Sequence, residues 1–124
     1  MANIRIGIDI MGGDFAPRAT TEGAILAQKE LYNNVDLVLI GDEKAILSIF
    51  KEKGVDSALF RIVNAPDNIE MGEHPTKAFA KKPNSSIAVG FQLLKEGEID
   101  GFASAGNTGA MFVGGYMSVK PIAG

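Results

Sequence analysis

An α/β fold with a mainly parallel sheet is predicted from the way two kinds of segment alternate along the 124 residues. Short apolar runs rich in β-branched residues are typical of strands buried on both faces. Between them lie longer segments in which apolar residues recur at helical spacing. This alternation favours a parallel sheet with helices on both faces, which is a three-layer α/β/α sandwich. We find no repeat or linker that divides the chain, so residues 1–124 are interpreted as part of a single domain.

The apolar runs predict four strands, over residues 4–10, 35–40, 59–63 and 99–103. The first run hardly alternates between apolar and polar residues, as expected of a strand covered on both sides. The simplest wound order of these strands is 3-2-1-4, in which the direction of winding reverses between strands one and four. Ligands of such sheets bind outside the carboxyl ends of the strands at that reversal. The loops at residues 11–17 and 104–109 are therefore expected to face one crevice.

Helices are predicted at 17–32 with Pro17 in the first turn, at 43–53, as short turns at 76–81, from Ser85 or Ser86 to about residue 96, and from near Asn107 to residue 119. Asp42 is expected to cap the second helix and Gly54 to end it. The expected core faces of the first two helices are Ala24, Ile25, Gln28 and Leu31, and Ile46, Leu47, Ile49 and Phe50.

The loop after the fourth strand is the first candidate site. The helix that follows it leaves free backbone N–H groups at the positive end of its dipole, where an anion can bind. Gly106 and Gly109 would let the backbone approach a bound group. Ser104, Asn107 and Thr108 add short hydrogen-bonding side chains. The pattern is neither a Walker A loop nor a GxGxxG fingerprint, and the same residues also suit a plain turn and helix cap, so both interpretations stay open.

The loop after the first strand is the second candidate. Gly12 and Gly13 would let it close over the same anion. Asp14 has three alternatives: it accepts a proton, it binds a cation, or it caps the following helix. Two glycine loops that face one crevice make a binding site as good an interpretation as two simple turns.

Composition excludes several classes of function. The chain has a net charge of −3 and scattered basic residues, which argues against nucleic-acid binding. It contains no cysteine, so a disulfide framework, a thiolate metal site and a cysteine nucleophile are all excluded. We expect no signal peptide, membrane span, metal or cofactor, and a cytoplasmic location.

The last predicted helix is apolar nearly all round, as expected of a buried helix. Its apolar residues are Met111, Phe112, Val113, Tyr116, Met117 and Val119. Only a few residues follow it in this sequence, too few to cover it. We therefore interpret the chain as truncated, with a missing second part or a subunit interface over this helix.

Two motifs resemble the bacterial phosphate acyltransferase family of phospholipid synthesis. They are IDIMGGDFAP at residues 8–17 and SAGNTGA at residues 104–110. Between them GDE at 41–43, KKPNSS at 81–86 and GEID at 97–100 fall in the expected order. The resemblance covers the whole chain as the N-terminal portion of a longer protein. One departure is Ala80, where the family usually carries an arginine, and this leaves Lys81 and Lys82 as the nearby cations.

The resemblance implies a fold similar to the isocitrate and isopropylmalate dehydrogenases. It also implies transfer of a long-chain fatty acyl group from acyl carrier protein to inorganic phosphate, giving acyl phosphate, by a homodimeric enzyme. A lipid enzyme could associate peripherally with a membrane, although no basic amphipathic face supports this. The alternatives are a short-chain phosphate acetyl- or butyryltransferase of the same architecture, and a non-catalytic phosphate-binding module. The fragment alone could be inactive.

Phosphate is itself a competent nucleophile, so the site must hold it, orient it and stabilise the developing oxyanion. We assign phosphate binding to Gly12, Gly13, Ser104, Gly106, Thr108 and Gly109. Asn107 either holds phosphate or faces the thioester oxygen, and with Asp14 and Lys82 it completes the candidate catalytic set. His74 is either a surface residue or a general acid for the leaving thiol.

Overall fold

Four parallel strands form the sheet that carries the other elements. The computed structural model of the protein describes residues 3–31 and 33–123. The strands are β1 (Ile4–Asp9), β2 (Val35–Gly41), β3 (Arg61–Asn64) and β4 (Gly101–Ala103). The helices are α1 (Arg18–Leu31), α2 (Glu43–Lys53), α3 (Pro75–Lys81), α4 (Ser86–Lys95) and α5 (Thr108–Ser118), with a 3₁₀ turn at Ser57–Leu59.

The sheet has the order β3-β2-β1-β4, which confirms the predicted winding. β1 is the central strand around which the direction reverses, because it pairs with β2 on one side and β4 on the other. Ile6 is opposite Leu37 of β2 and opposite Gly101 of β4. The carboxyl ends of β1 and β4 are therefore neighbours at one edge of the sheet.

Helices cover both faces of the sheet. Leu37 and Leu39 of β2 belong to a core cluster with residues of α1 and α2, whereas Val38 and Ile40 belong to a second cluster that includes Leu93 of α4. Alternate residues of one apolar strand thus face opposite layers, which is why the run does not alternate in polarity. α3 and α5 pack with α4 in a third cluster. The three-layer α/β/α arrangement is confirmed.

The predicted signals at the ends of α2 are confirmed. The side chain of Asp42 accepts a hydrogen bond from the N–H of Lys44 at 3.1 Å, and Gly54 ends the helix with φ +67°. α1 begins at Arg18, so Pro17 precedes the helix instead of lying in its first turn. The predicted end of this helix at Tyr32 lies outside the described residues.

Two strands start later than predicted, and β1 ends at Asp9, one residue before its predicted end at Ile10. Leu59 lies in the 3₁₀ turn, which Asp56 caps through the N–H of Ala58, so β3 starts only at Arg61. Ile99 and Asp100 precede β4. The carboxylate of Asp100 accepts hydrogen bonds from the backbone N–H and the guanidinium of Arg5, and the N–H of Asp100 donates to the carbonyl of Arg5 at 2.7 Å.

Leu31 and Leu47, predicted on core faces, are instead exposed. Each lies at the edge of its helix's apolar stripe, where helical spacing alone does not separate core from rim. The other predicted core residues of α1 and α2 are buried: Ala24, Ile25, Gln28, Ile46, Ile49 and Phe50.

α5 is apolar all round but is buried on one side only. Ala110 and Gly114 face the core, and a Cβ on Gly114 would lie 2.3 Å from Cδ2 of Phe91, so the glycine lets α5 pack closely against α4. Phe112, Tyr116 and Met117 are exposed, with 60–73% of their surface accessible. One side of α5 is therefore uncovered in this chain, as the sequence analysis expects. Within the described ranges, no helix has both the length and the apolar character needed to cross a membrane.

Candidate anion site between two glycine loops

The loops that follow β1 and β4 meet at the edge of the sheet. A Cβ atom on Gly106 would lie 3.2 Å from the Cα of Gly12, which is tighter than ordinary side-chain contact. Gly13 has a φ of +111°, a conformation that side chains rarely adopt, and its Cα faces Ala105. The two loops therefore meet, as the strand order predicts.

Asp9, the last residue of β1, joins the two loops beneath this contact. It is 1% exposed. Its Oδ1 accepts hydrogen bonds from the N–H of Met11 at 3.0 Å and from the hydroxyl of Ser86. Its Oδ2 accepts a hydrogen bond from the hydroxyl of Ser104 at 2.6 Å. Three donors from three segments satisfy a carboxylate that would otherwise be costly to bury.

Our sequence analysis assigned no role to Asp9 and considered Ser86 only as the start of a helix. A signal for Asp9 was present, because a carboxylate between Ile8 and Ile10 interrupts an otherwise apolar strand. A charge at such a position is buried only when it is paired or hydrogen-bonded. The partners could not be read from the sequence, since Ser86 is 77 residues away and Ser104 is 95.

Ser104 connects Asp9 to the second loop. Its hydroxyl donates to Asp9, and its Oγ accepts the N–H of Gly106 at 2.9 Å. The hydroxyl proton is thus already committed within the protein, so Ser104 shapes the loop and does not present this proton to the crevice. The N–H of Gly106 is committed in the same way.

Asn107 is also fully engaged. It is 4% exposed, and its Oδ1 caps α5 by accepting the N–H of Ala110 at 2.9 Å. Its Nδ2 donates to the carbonyl oxygens of Glu70 at 2.9 Å and Glu73 at 3.2 Å. The side chain therefore fixes both the start of α5 and the connection between β3 and α3.

Backbone N–H groups remain available on both loops. Within the described part of the chain, we find no acceptor for those of Gly12, Gly13, Thr108 and Gly109. Thr108 and Gly109 occupy the first turn of α5, where the helix dipole favours negative charge. The glycine at 109 has a packing reason too, because a Cβ there would lie 2.3 Å from Cγ of Pro75.

Lys82 is paired, and its contacts lie in the β3–α3 connection. Its Nζ donates to the carbonyl of Asn68 and to Oε2 of Glu73, both at 2.8 Å. The hydrogen bond from Lys82 is the main reason that the pKa of Glu73 lies below its ordinary value, and the N–H of Glu70 acts in the same direction. The charge of Lys82 is thus largely balanced by one carboxylate.

The remaining predicted residues lie on the surface. Asp14 is exposed, lies four residues before α1, and has no side-chain hydrogen bond to any described residue, so it does not cap that helix. His74 is exposed and is the N-cap residue just before α3, where its Nδ1 faces the N–H of Lys77 at 3.5 Å. Among the residues that the structure describes, no three His, Asp or Glu side chains are grouped as metal ligands.

The structure thus brings Gly12, Gly13, Ser104, Gly106, Thr108 and Gly109 to one edge of the sheet, with Asn107 beneath the start of α5. Lys82 reaches this edge only indirectly, through Glu73 and the carbonyl that Asn107 binds. Chemically, the arrangement offers backbone amide donors on two adjacent loops, and the polar side chains hold these loops in place.

These features define an α/β protein with a candidate anion site where its sheet reverses direction. The chain belongs to the family described as "Fatty acid synthesis protein", whose profile matches residues 4–124. It is 45% identical over 121 residues to a phosphate acyltransferase of Dictyoglomus thermophilum and 44% identical over 121 residues to one of Caldicellulosiruptor bescii. It is 45% identical over 117 residues to one of Aquifex aeolicus.

These alignments cover 94–98% of this chain but only 34–36% of the relatives, so the chain spans about a third of their length. The matches confirm the resemblance that the two glycine motifs indicate. Each of these relatives is named a phosphate acyltransferase.

Proposed function

We propose that this chain supplies the phosphate-binding part of an acyltransferase. The enzyme moves a long-chain acyl group from acyl carrier protein to inorganic phosphate and releases acyl phosphate for phospholipid synthesis. The observation that carries the proposal is the meeting of the two glycine loops, at Gly12 and Gly106, beside the start of α5. The relatives' printed name supports phosphate and acyl transfer. The carrier protein and the long chain rest on the resemblance of the two motifs.

Phosphate binds to backbone N–H groups in this proposal. Thr108 and Gly109 donate from the first turn of α5, and Gly12 and Gly13 donate from the opposite loop. Amides that are held before the substrate arrives need no reorganisation, which is the usual source of electrostatic stabilisation in such sites. Ser104 and Gly106 contribute by setting the shape of the loop, since their donors are already used.

The reaction needs an oriented acceptor and not a covalent acyl-enzyme. A phosphate oxygen attacks the thioester carbonyl, a C–O bond forms, the C–S bond breaks, and the thiol leaves with a proton. Holding phosphate in line with the carbonyl supplies much of the rate enhancement. Asp14 is the carboxylate that the first loop offers to accept a proton from phosphate.

Asn107 and Lys82 act by positioning in this proposal. Asn107 holds α5 and the β3–α3 connection at fixed distances through its three hydrogen bonds. Lys82 fixes the same connection through Glu73. The exposed apolar face of α5 is available to further parts of the enzyme or to a second subunit of a homodimer. A carrier-protein substrate fits a cytoplasmic enzyme.

The test uses the natural protein that contains this sequence, at its full length. Free thiol released from a long-chain acyl carrier protein thioester is measured with and without phosphate, with sulfate as the control anion. We expect release that depends on phosphate and does not occur with sulfate. Turnover of acetyl-CoA alone would instead identify a short-chain phosphate acetyl- or butyryltransferase. Phosphate binding without turnover of any thioester would identify a non-catalytic module.

A further inference from the structure

We propose that Asp9 is the positioning residue of the anion site. Its buried carboxylate holds the two glycine loops and the start of α4 in the arrangement that binds phosphate, without touching phosphate itself. This inference rests on the proposed function, since it assigns a role within the same site.

The hydrogen-bond donors to Asp9 come from three separate segments of the chain. Met11 belongs to the loop after β1, Ser104 to the loop after β4, and Ser86 is the first residue of α4. One carboxylate therefore links three segments that meet only in the folded chain. Removing its acceptor capacity would release both loops at once, and neither loop alone contains a substitute.

Ser104 links Asp9 to Gly106 through two hydrogen bonds, and we call this pair of bonds the relay. Because its hydroxyl donates to Asp9, the lone pairs of its Oγ face the second loop, where one accepts the N–H of Gly106. The position of Gly106 therefore depends on which way the hydroxyl of Ser104 points. The residues that follow are the cap and first turn of α5, so the same relay sets where their free N–H groups lie.

The carboxylate of Asp9 does not contact phosphate directly. Asp9 is 1% exposed, and a Cβ on Gly12 would lie 2.5 Å from its Oδ2, so the backbone of the first loop covers the carboxylate. A buried negative charge near an anion site also disfavours the anion by Coulomb repulsion. The charge of Asp9 alone therefore cannot aid phosphate binding, and its contribution must come through the geometry that it imposes.

These two effects give opposite expectations for Asp9→Asn. If charge dominates, the neutral amide removes repulsion and phosphate binds more tightly. If positioning dominates, the amide presents a donor to Ser104, the hydroxyl proton of Ser104 loses its acceptor and must turn toward the second loop, and phosphate binds more weakly. The variant has nearly the same shape as the natural residue, so packing is little changed.

The experiment measures kinetic constants in the natural full-length protein. For Asp9→Asn we expect the KM for phosphate to rise about tenfold, which corresponds to one lost hydrogen bond to a charged group, with the KM for the acyl donor unchanged. Asp100→Asn is the matched control, because Asp100 also binds backbone and side chain of β1 but at Arg5, at the other end of that strand. We expect no change in either KM for this control.

Coupling tests the relay. Ser104→Ala is expected to raise the KM for phosphate, Ser104→Thr, which keeps the hydroxyl, to raise it less, and Asp9→Asn combined with Ser104→Ala to add little to either single change. If Asp9→Asn does not fold, Ser104→Ala and Ser104→Thr decide the question by themselves. An unchanged or lowered KM for phosphate, or a rise that is equal for both substrates, would overturn the inference.

A failure of the proposed function gives a different result. In that case the unmodified protein shows no phosphate-dependent turnover. Amide hydrogen exchange in the natural full-length protein then tests the positioning of Asp9 directly. Asp9→Asn is expected to speed exchange at Met11 and Gly106, and unchanged exchange at both would contradict the role of Asp9.

Discussion

A Cβ atom on Gly12 would lie 2.8 Å from the backbone nitrogen of Gly106, a separation that real Cβ atoms essentially never show. The two loops therefore touch backbone to backbone, although 94 positions separate these residues in the numbering (106 − 12). This contact requires glycine at position 12 because of space, and a larger residue must push the loops apart.

We expect Gly12→Ala to lower the free energy of unfolding by about 1–3 kcal/mol, because the new methyl group overlaps the backbone of Gly106 and the carboxylate of Asp9. Urea unfolding of the 124-residue chain measures the change. Gly23→Ala is the control, since a Cβ at this helical position meets nothing within 4 Å. It should stabilise the chain by about 0.5–1 kcal/mol. Equal effects of the two substitutions would contradict the close loop contact.

Asn107→Ala should cost more stability than the loss of an ordinary helix cap. It removes the cap of α5, which alone is worth about 0.5–2 kcal/mol, and also the two hydrogen bonds to the β3–α3 connection. Asp42→Ala, which removes only the cap of α2, is the control. Asn107→Asp keeps the capping oxygen but places a buried carboxylate oxygen against the carbonyls of Glu70 and Glu73, so it should cost at least as much as Asn107→Ala. The stability of these three variants is compared by thermal unfolding. A loss of stability for Asn107→Ala no greater than for Asp42→Ala would contradict the contribution of the hydrogen bonds from Asn107 to the β3–α3 connection.

The ion pair of Glu73 and Lys82 should make the β3–α3 connection sensitive to acid. The pKa of Glu73 is lowered in the folded chain, chiefly by the hydrogen bond from Lys82, so the pair stabilises the fold above the usual carboxyl value of 4.5. That stabilisation is lost as the pH falls through the lowered pKa. We expect the stability difference between the natural chain and Glu73→Ala to be constant near neutral pH and to shrink below pH 4.5.

The exchange rate of the Glu70 amide, which donates to Glu73 at 2.6 Å, reports this change locally. Glu52→Ala is the control: its pKa is also lowered, by a hydrogen bond from Arg18, but it lies on α2. It should show a similar pH dependence of stability without any effect on the Glu70 amide. A Glu70 exchange rate that does not respond to Glu73→Ala would contradict the assignment.

The exposed face of α5 should make the 124-residue chain self-associate. Phe112 and Tyr116 stack with ring centroids 6.3 Å apart while both remain exposed, so they form a continuous apolar surface. Sedimentation of the chain should show larger species at high concentration. Phe112→Glu with Tyr116→Lys should restore the single-chain mass, whereas Leu26→Glu, at an exposed leucine of α1, should not. Association that survives the double substitution would contradict this prediction.

Most of the fold could be predicted because its signals are local. The cap at Asp42, the helix stop at Gly54 and the alternation of strands and helices all follow from short patterns along the chain, and the strand order is the simplest winding of that alternation. The errors occur where local patterns are ambiguous. Leu59 belongs to an apolar run that is typical of a strand, but Asp56 caps a 3₁₀ turn that includes Leu59, so the strand starts after it.

The candidate site was less predictable because it depends on contacts between distant residues. Small and polar loop residues could be chosen from the sequence, and their meeting follows from the strand order. Which donors are free could not be predicted. The sequence suggests that Ser104 and Asn107 could bind a ligand, yet the side chain of each forms its hydrogen bonds with other residues of the protein. The carboxylate that organises them, Asp9, appears in the sequence only as an interruption of an apolar strand.

The span of the Asp9 contacts also has a kinetic consequence. Ser86 and Ser104 reach Asp9 across 77 and 95 residues, so closing these contacts orders most of the chain. Contacts of high sequence separation form slowly and late, and no early helical turn can assemble this site by itself. If an oxyanion binds there, as we propose, it selects only completely folded molecules, and by mass action it should raise the melting temperature as its concentration increases.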